Sequence, residues 1–446
     1  MASTSRKFEA QPARNVSGTA VVPGDKSISH RALMLSGIAQ GTSVVSGFLA
    51  SEDCLASLAA MRALGVPIEQ PGATHVVVQG VGLRGLRAAG RALDLGNAGT
   101  AMRLFTGLLS AQGFDSRLVG DASLMKRPME RVAAPLREMG ADVRTHGGTP
   151  PVDIGGGHRL HGIEYRMPVA SAQVKSAILL AALYADTATT VIAPAINRDH
   201  SERMLESCGV SLDVDGLRTT LHPPKELANL EITVPGDFSS AAFFIVAGLL
   251  GATAAGLLIR NVGVNPTRTG LLDMLRAMGG NIEILNARTS GAEPVADLLV
   301  RASALRGVQV PAELVPLAID ELPVLFIAAA CATGETVVTG AEELRVKESD
   351  RIAAMSAGLG RLGVAHSVLP DGMRIEGRGA GPAFSGGEVD SFGDHRIAMS
   401  FAIASLRAAK PISIRDVANV ATSFPGFVGL ARSVGLEVSE SIGTVP

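Results

Sequence analysis

Leu136-Arg-Glu-Met-Gly140-Ala reads as the end of a helix, with an apolar residue four positions before a glycine. Glycine takes the left-handed turn after a helix at least cost, so this spacing marks a C-terminus. The pattern recurs as Met61-Arg-Ala-Leu-Gly65-Val, Leu205-Glu-Ser-Cys-Gly209-Val and Leu275-Arg-Ala-Met-Gly279-Gly, then as Leu359-Gly-Arg-Leu-Gly363-Val and Ala431-Arg-Ser-Val-Gly435-Leu. Successive glycines lie 75, 69, 70, 84 and 72 residues apart. Six copies at such spacing are an internal repeat.

A second mark lies upstream in each copy: a turn rich in Pro, Gly or Asp, small polar residues, then an apolar run. The six turns open at Pro23-Gly-Asp-Lys-Ser, Gly96-Asn-Ala-Gly-Thr, Pro168-Val-Ala-Ser-Ala-Gln, Pro235-Gly-Asp-Phe-Ser-Ser, Ile319-Asp-Glu-Leu-Pro and Phe392-Gly-Asp-His-Arg. Runs such as Ser176-Ala-Ile-Leu-Leu-Ala-Ala-Leu follow, and then Thr/Val-rich segments. The pattern predicts an α/β protein of strand–helix–strand–helix–strand units with buried helices. A chain of 446 residues exceeds one hydrophobic core. Six units divide into two groups of three, with a break near 230–236, where Pro235-Gly236-Asp237 repeats Pro23-Gly24-Asp25.

Hydrophobic content of 47% suits large cores, whereas 3% aromatic residues and no Trp argue against a stacking platform for nucleic acid. A net charge of −2 gives no global field for a polyanion, so any anion site must be built locally. Cys54, Cys208 and Cys331 lie far apart in apolar stretches, with no zinc or disulfide spacing, and read as buried thiols. No metal and no cofactor are expected. Phe238 to Ile259 carries no charge, but its Ser, Thr and Gly residues and its place in the repeat favour a buried helix and strand over a membrane span. The opening Met1 to Phe8 has no apolar signal region, and a soluble, cytoplasmic protein is expected.

Unpaired N–H groups at a helix start form a ready anion site. If the repeats stack in parallel, each domain aims several such ends at one face, and two facing domains would enclose a cleft. The charges at these starts are Lys26, Arg31, Lys126, Arg127, Arg198, Lys347, Arg351, His395 and Arg396, with the carboxylates Asp320 and Glu348. The set fits a small, multiply anionic ligand. A carboxylate beside cations can take up and return a proton; an i, i+3 helix pair would equally account for Glu348 and Arg351. Gly80-Val-Gly-Leu-Arg-Gly85 matches a dinucleotide-binding pattern but has Phe105 where an acidic residue is wanted, so it reads as a turn.

Pro23-Gly-Asp-Lys-Ser-Ile-Ser-His-Arg31, Leu95-Gly-Asn-Ala-Gly-Thr-Ala-Met-Arg103, Gly120-Asp-Ala-Ser-Leu-Met-Lys-Arg-Pro-Met129 and Leu344-Arg-Val-Lys-Glu-Ser-Asp-Arg351 closely resemble the 5-enolpyruvylshikimate-3-phosphate synthase family. Ser171-Ala-Gln-Val-Lys-Ser, Asp394-His-Arg-Ile-Ala-Met-Ser and Thr422-Ser-Phe-Pro extend the resemblance over the whole chain. It implies two domains of three βαβαββ units hinged by two chain crossings, an inside-out α/β barrel fold. The domains would be 21–234, and 1–20 with 235–446. The implied reaction joins shikimate 3-phosphate to phosphoenolpyruvate and releases phosphate, in the shikimate pathway of aromatic amino-acid biosynthesis.

The resemblance further implies that Lys26, Ser27, Arg31, Ser171, Ala172, Gln173, Arg198, Asp320 and Lys347 hold shikimate 3-phosphate. Lys26, Gly99, Arg127, Gln173, Arg351 and Arg396 would hold phosphoenolpyruvate. Asp320 would be the base toward the hydroxyl, Glu348 would handle the methylene proton, and Lys26 would assist catalysis. Ala172 and Thr422 depart from the better-known form, which has Ser and Lys there, and resemble a second, divergent class. The sister transferase acting on UDP-N-acetylglucosamine is the nearest alternative. It carries Asn after its first Lys and a Cys in its mobile loop; here Ser27 follows Lys26, and 120–129 has no Cys. A non-catalytic repeat scaffold, the other alternative, would need no acid–base pair. A monomer acting on small molecules, without nucleic acid or membrane, is expected.

Overall fold

The computed structural model describes residues 4–13 and 15–444. All six repeat glycines have positive φ, from 78° at Gly363 to 100° at Gly140. After each, the next amide returns to the carbonyl of the apolar residue four before the glycine, as in Val66 to Met61 at 3.1 Å and Ala141 to Leu136 at 3.0 Å. This closure satisfies carbonyls that a helix end would leave bare. The apolar residue is also fully buried in every copy. One residue thus both closes the helix end and fills the core.

The chain forms two compact units. Residues 24–235 with 289–293 hold α1 (Lys26–Ile38), α2 (Glu52–Ala63), α3 (Gly99–Leu109), α4 (Glu130–Glu138), α5 (Ala172–Ala182) and α6 (His200–Ser207). The other unit holds α7 (Phe238–Gly251), α8 (Gly270–Ala277), α9 (Val315–Ala318), α10 (Leu322–Cys331), α11 (Arg351–Arg361), α12 (His395–Ala404) and α13 (Phe427–Ser433). The segment Thr289–Glu293, at the turn between strands Asn281–Ser290 and Glu293–Arg301, groups with the first unit. There Glu293 meets His200 at 2.7 Å and the Ala292 carbonyl accepts from Arg203 at 3.2 Å.

Five of the six sheets have four strands, one more than the helix-end pattern predicts, and the sheet of Thr333–Val338, Gly372–Arg378 and His366–Leu369 has three. Leu93–Asp94, Ser116–Val119, Asp142–His146 and Thr149–Gly155 form a sheet in the order first, second, fourth, third, the first pair parallel and the rest antiparallel. Glu164–Arg166, Thr189–Ile192, Leu212–Asp215 and Arg218–Leu221 repeat it. Two repeats take their first strand out of chain order. Val16–Val21 precedes α1 but pairs with Ala252–Gly263, and Glu231–Thr233 precedes α7 but pairs with Gln40–Ser46. Thr4–Gln11 completes a third sheet between Ile412–Arg415 and Glu437–Thr444.

Helices α1, α3, α5, α7, α10 and α12 are enclosed; all ten residues of α10 are buried, and all of α7 except Gly251. That enclosure explains the charge-free Phe238 to Ile259, a 14-residue helix running into strand Ala252–Gly263. Among the described residues no helix is long and apolar enough to cross a membrane. The three cysteines are free and buried. In each unit the apolar helices lie inside and the sheets around them.

Candidate active site

Four of the six enclosed helices carry a side-chain cap at the start. Asp25, Ser171, Asp237 and Asp394 cap α1, α5, α7 and α12 by accepting backbone amides. Each takes one or two of the amides at its helix start, and the three Asp place negative charge on the dipole. Of the six enclosed helices only α3 and α10 begin without a side-chain cap.

In the unit around α1, α3 and α5, the three starts come together through side chains. Gln173 Nε2 donates to Thr100 Oγ1 at 2.8 Å, and Arg103 Nη1 donates to Gln173 Oε1, joining α5 to α3. Arg127 donates to Asn97 Oδ1 at 2.7 Å, and Asn97 donates to Asp121 at 2.7 Å. A Cβ on Gly99 would lie 2.6 Å from Arg127 Nη1 and 3.4 Å from Arg103 Nη1. Two buried guanidiniums therefore flank the uncapped start of α3, a local cationic site. Lys126, next to Arg127, is instead an exposed charge at the end of a 3-10 helix, Leu124–Lys126.

Lys26, the first residue of α1, pairs with buried Asp53 at 2.9 Å. Ser27, Ala172 and Ser171 are partly exposed at their helix starts, although the Ser171 hydroxyl oxygen is engaged as a cap on Val174 N. Arg31 turns inward: it donates to Ser201 Oγ (2.7 Å), the Ser27 carbonyl (2.9 Å) and Ser176 Oγ (2.8 Å). Burial pulls its guanidinium down to about 10, opposed by Glu202 and Asp25 and reinforced by Arg198. Arg198 is partly exposed just before α6. Burial likewise pushes His30, hydrogen bonded to Ser57 at 2.7 Å, down to about 3, so its ring stays neutral.

In the other unit Arg351, the first residue of α11, joins the starts of α10 and α12. Arg351 Nη1 donates to Asp320 Oδ1 at 3.1 Å, Nη2 to Glu348 Oε2 at 2.5 Å and Nε to Asp394 Oδ2 at 2.8 Å. Burial opposes the Arg351 charge, but Asp394, Glu348 and Asp320 outweigh it and hold its pKa above the ordinary value. Glu348 lies before the cap Asp350, so its pair with Arg351 is a turn contact and not an i, i+3 helix pair. Lys347 Nζ lies 3.7 Å from Asp320 and 3.8 Å from Glu343; desolvation lowers its pKa against both carboxylates. Arg396 Nη1 donates to the Asp320 carbonyl at 2.9 Å, and Nη2 stands 3.9 Å from its carboxylate. His395 is buried. Thr422 donates to the Asn419 carbonyl at 2.7 Å.

Sequence reasoning had assigned no role to Arg103, Asp53, Asn97 or Asp394. Arg103 was findable, since it stands four residues after Gly99 on the same helix face. Asp394 was findable as a helix cap. Nothing local marks Asp53, whose partner is 27 residues away.

Comparison with solved structures gives the class first. The enolpyruvyl transferase NikO from Streptomyces tendae superposes with a TM-score of 0.79 over 99% of this chain and 100% of its own, at 18% identity, which speaks to fold alone. EPSP synthase from Acinetobacter baumannii, solved at 2.37 Å, superposes with a TM-score of 0.88 at 51% identity, covering 98% of this chain and 100% of that one. Among curated proteins, the 3-phosphoshikimate 1-carboxyvinyltransferase of Methylococcus capsulatus is 57% identical over 97% of this chain and 98% of its own length; that of Alkalilimnicola ehrlichii is 55% identical over 97% and 96%. The family EPSP synthase (3-phosphoshikimate 1-carboxyvinyltransferase) matches residues 10–430. The chain belongs to that family.

Proposed function

We propose that the two side-chain clusters carry the family's activity, with each residue in the role given below. The enzyme transfers the enolpyruvyl group of phosphoenolpyruvate to the 5-hydroxyl of shikimate 3-phosphate and releases phosphate. Asp320 takes the hydroxyl proton as the oxygen adds to the enol carbon, and Glu348 delivers a proton to the methylene. In the second half the methyl group so formed loses a proton back to Glu348 and the adduct expels phosphate, which carries off the proton that Asp320 took from the hydroxyl. Lys26, Arg127, Arg351 and Arg396, with Gly99 and Gln173, hold phosphoenolpyruvate and compensate charge on the adduct. Lys26, Ser27, Arg31, Ser171, Ala172, Gln173, Arg198, Asp320 and Lys347 hold shikimate 3-phosphate. Arg31 serves it mainly by fixing α1 against α5 and α6.

The observation that carries this reading is the single guanidinium of Arg351 holding Asp320 at 3.1 Å and Glu348 at 2.5 Å. An addition–elimination needs two separate proton-transfer groups in fixed positions, and a partner-binding scaffold has no use for them. The same reading takes the two compact units as the family's two domains and places the enzyme in the cytoplasm as a monomer acting on small molecules. The test is phosphate release from phosphoenolpyruvate that depends on shikimate 3-phosphate. Release with UDP-N-acetylglucosamine instead, or a melting temperature raised by that sugar and not by shikimate 3-phosphate, would overturn it.

A further inference from the structure

Glu321 follows Asp320 at the start of α10, and the mechanism above gives it no task. Its side chain is wholly buried. Oε1 accepts from Ser239 Oγ and, at 3.4 Å, from Arg396 Nη1, while Oε2 is buried without a hydrogen-bond partner. Ser239 in turn accepts from Arg268 Nη2 at 2.8 Å, and that same nitrogen reaches Asp237 Oδ1 at 2.9 Å. A buried row of alternating charge thus runs from the cap of α7 to the first turn of α12.

The consequence falls on Arg396. Its side-chain hydrogen bonds, to the Asp320 carbonyl and to Glu321, both leave from Nη1. Nε and Nη2 make no hydrogen bond to a described residue, the Asp320 carboxylate standing 3.9 Å from Nη2, and together they form the edge of a guanidinium that grips a carboxylate or phosphate in two parallel bonds. A long side chain tethered in advance loses less entropy when an anion arrives. Removing Glu321 would leave Nη1 held by the Asp320 carbonyl alone and deprive the Ser239 hydroxyl of its acceptor.

We propose that Glu321 is a positioning residue for Arg396: backed by Ser239 and Arg268, it fixes Nη1 so that the Nε–Nη2 edge is presented to the anionic substrate. This rests on the reading that Arg396 holds phosphoenolpyruvate. Steady-state kinetics with each substrate varied in turn tests it on the wild type, Glu321→Ala, Glu321→Gln, Ser239→Ala, Arg396→Lys and the Glu321→Ala/Arg396→Lys double variant. Glu321→Ala should raise the phosphoenolpyruvate KM roughly tenfold while shifting the shikimate 3-phosphate KM less than about twofold. Glu321→Gln, which keeps an acceptor oxygen, should fall between. In the Arg396→Lys background the Glu321→Ala change should add less than about twofold, because its route is already cut.

A Glu321→Ala enzyme whose phosphoenolpyruvate KM matches wild type overturns the proposal. So does an equal rise for both substrates, or full additivity with Arg396→Lys. Should Glu321→Ala not fold, Ser239→Ala decides by the same KM criterion, with a melting curve to establish that it is native. A wild type with no turnover of the two substrates would instead overturn the functional reading, a result separable from an active enzyme indifferent to Glu321.

Discussion

Gly99 and Arg127 are in contact at the start of α3: a methyl group on Gly99 would stand 2.6 Å from Arg127 Nη1. The atom in the way is the end of a flexible side chain, so Gly99→Ala should fold, with the guanidinium displaced. In this family the herbicide glyphosate takes the phosphoenolpyruvate position and is slightly longer. Gly99→Ala should raise the glyphosate Ki by a larger factor than the phosphoenolpyruvate KM. Parallel inhibition and KM measurements check it; an unchanged ratio would place Gly99 away from the inhibitor.

Asp320→Ala should lower kcat by about a hundredfold or more if the carboxylate is the base. Near wild-type turnover would remove it from the mechanism. Phosphoenolpyruvate affinity should change far less, since Arg351 keeps Asp394 and Glu348 as anchors.

Arg351 and Asp394 are 1% and 0% exposed at the side chain. Removing one partner of such a pair strands the other charge, which costs about 3–5 kcal/mol. Arg351→Ala should lose that much stability in urea titrations as well as activity. A loss below about 1 kcal/mol would mean that solvent or rearrangement reaches Asp394.

His30 supplies a pH test. Its pKa in the folded state is depressed to about 3, below the unfolded value, so the folded protein binds fewer protons. Its contribution to stability is therefore complete above the unfolded value near 6.5 and is lost as pH falls from there toward 3. The slope contributed is about 1.4 kcal/mol per pH unit between those limits. Denaturant titrations at pH 7 and pH 5 should show a smaller loss for His30→Asn than for wild type. Equal losses would rule out His30 as a source.

The helix-end glycines give a graded test. Gly209→Ala meets no atom within 4 Å but keeps φ at 82°, so the backbone alone should cost about 1–2 kcal/mol. Gly435→Ala would also meet the Asn15 carbonyl at 2.2 Å and should cost more. Equal stability losses for the two would contradict the contact.

Much of this fold was legible because its signals are local. A glycine at positive φ after an apolar residue, or an apolar run behind a polar turn, is decided by backbone sterics within one or two turns. The six helix ends and six enclosed helices could therefore be read directly from Gly65 to Gly435. The candidate site was half legible. Gly99, Arg127, Asp320 and Arg351 stand where local motifs put them, whereas the bonds that orient them come from distant residues. Asp53 holds Lys26 from 27 positions away, and Glu321 reaches Ser239 across 82.

The sequence by itself determined the repeat, its helix boundaries and the charged residues gathered at helix starts, since each follows from short-range conformational preference. Only the tertiary structure decided where Val16–Val21 and Glu231–Thr233 pair. Both strands lead into a Pro-Gly-Asp turn and a buried helix, and chain order would join each to the repeat it precedes. Each pairs instead with the repeat that the other precedes. Strand pairing is set by which edge offers hydrogen bonds and an apolar face to cover, and that edge belongs to residues some two hundred positions away.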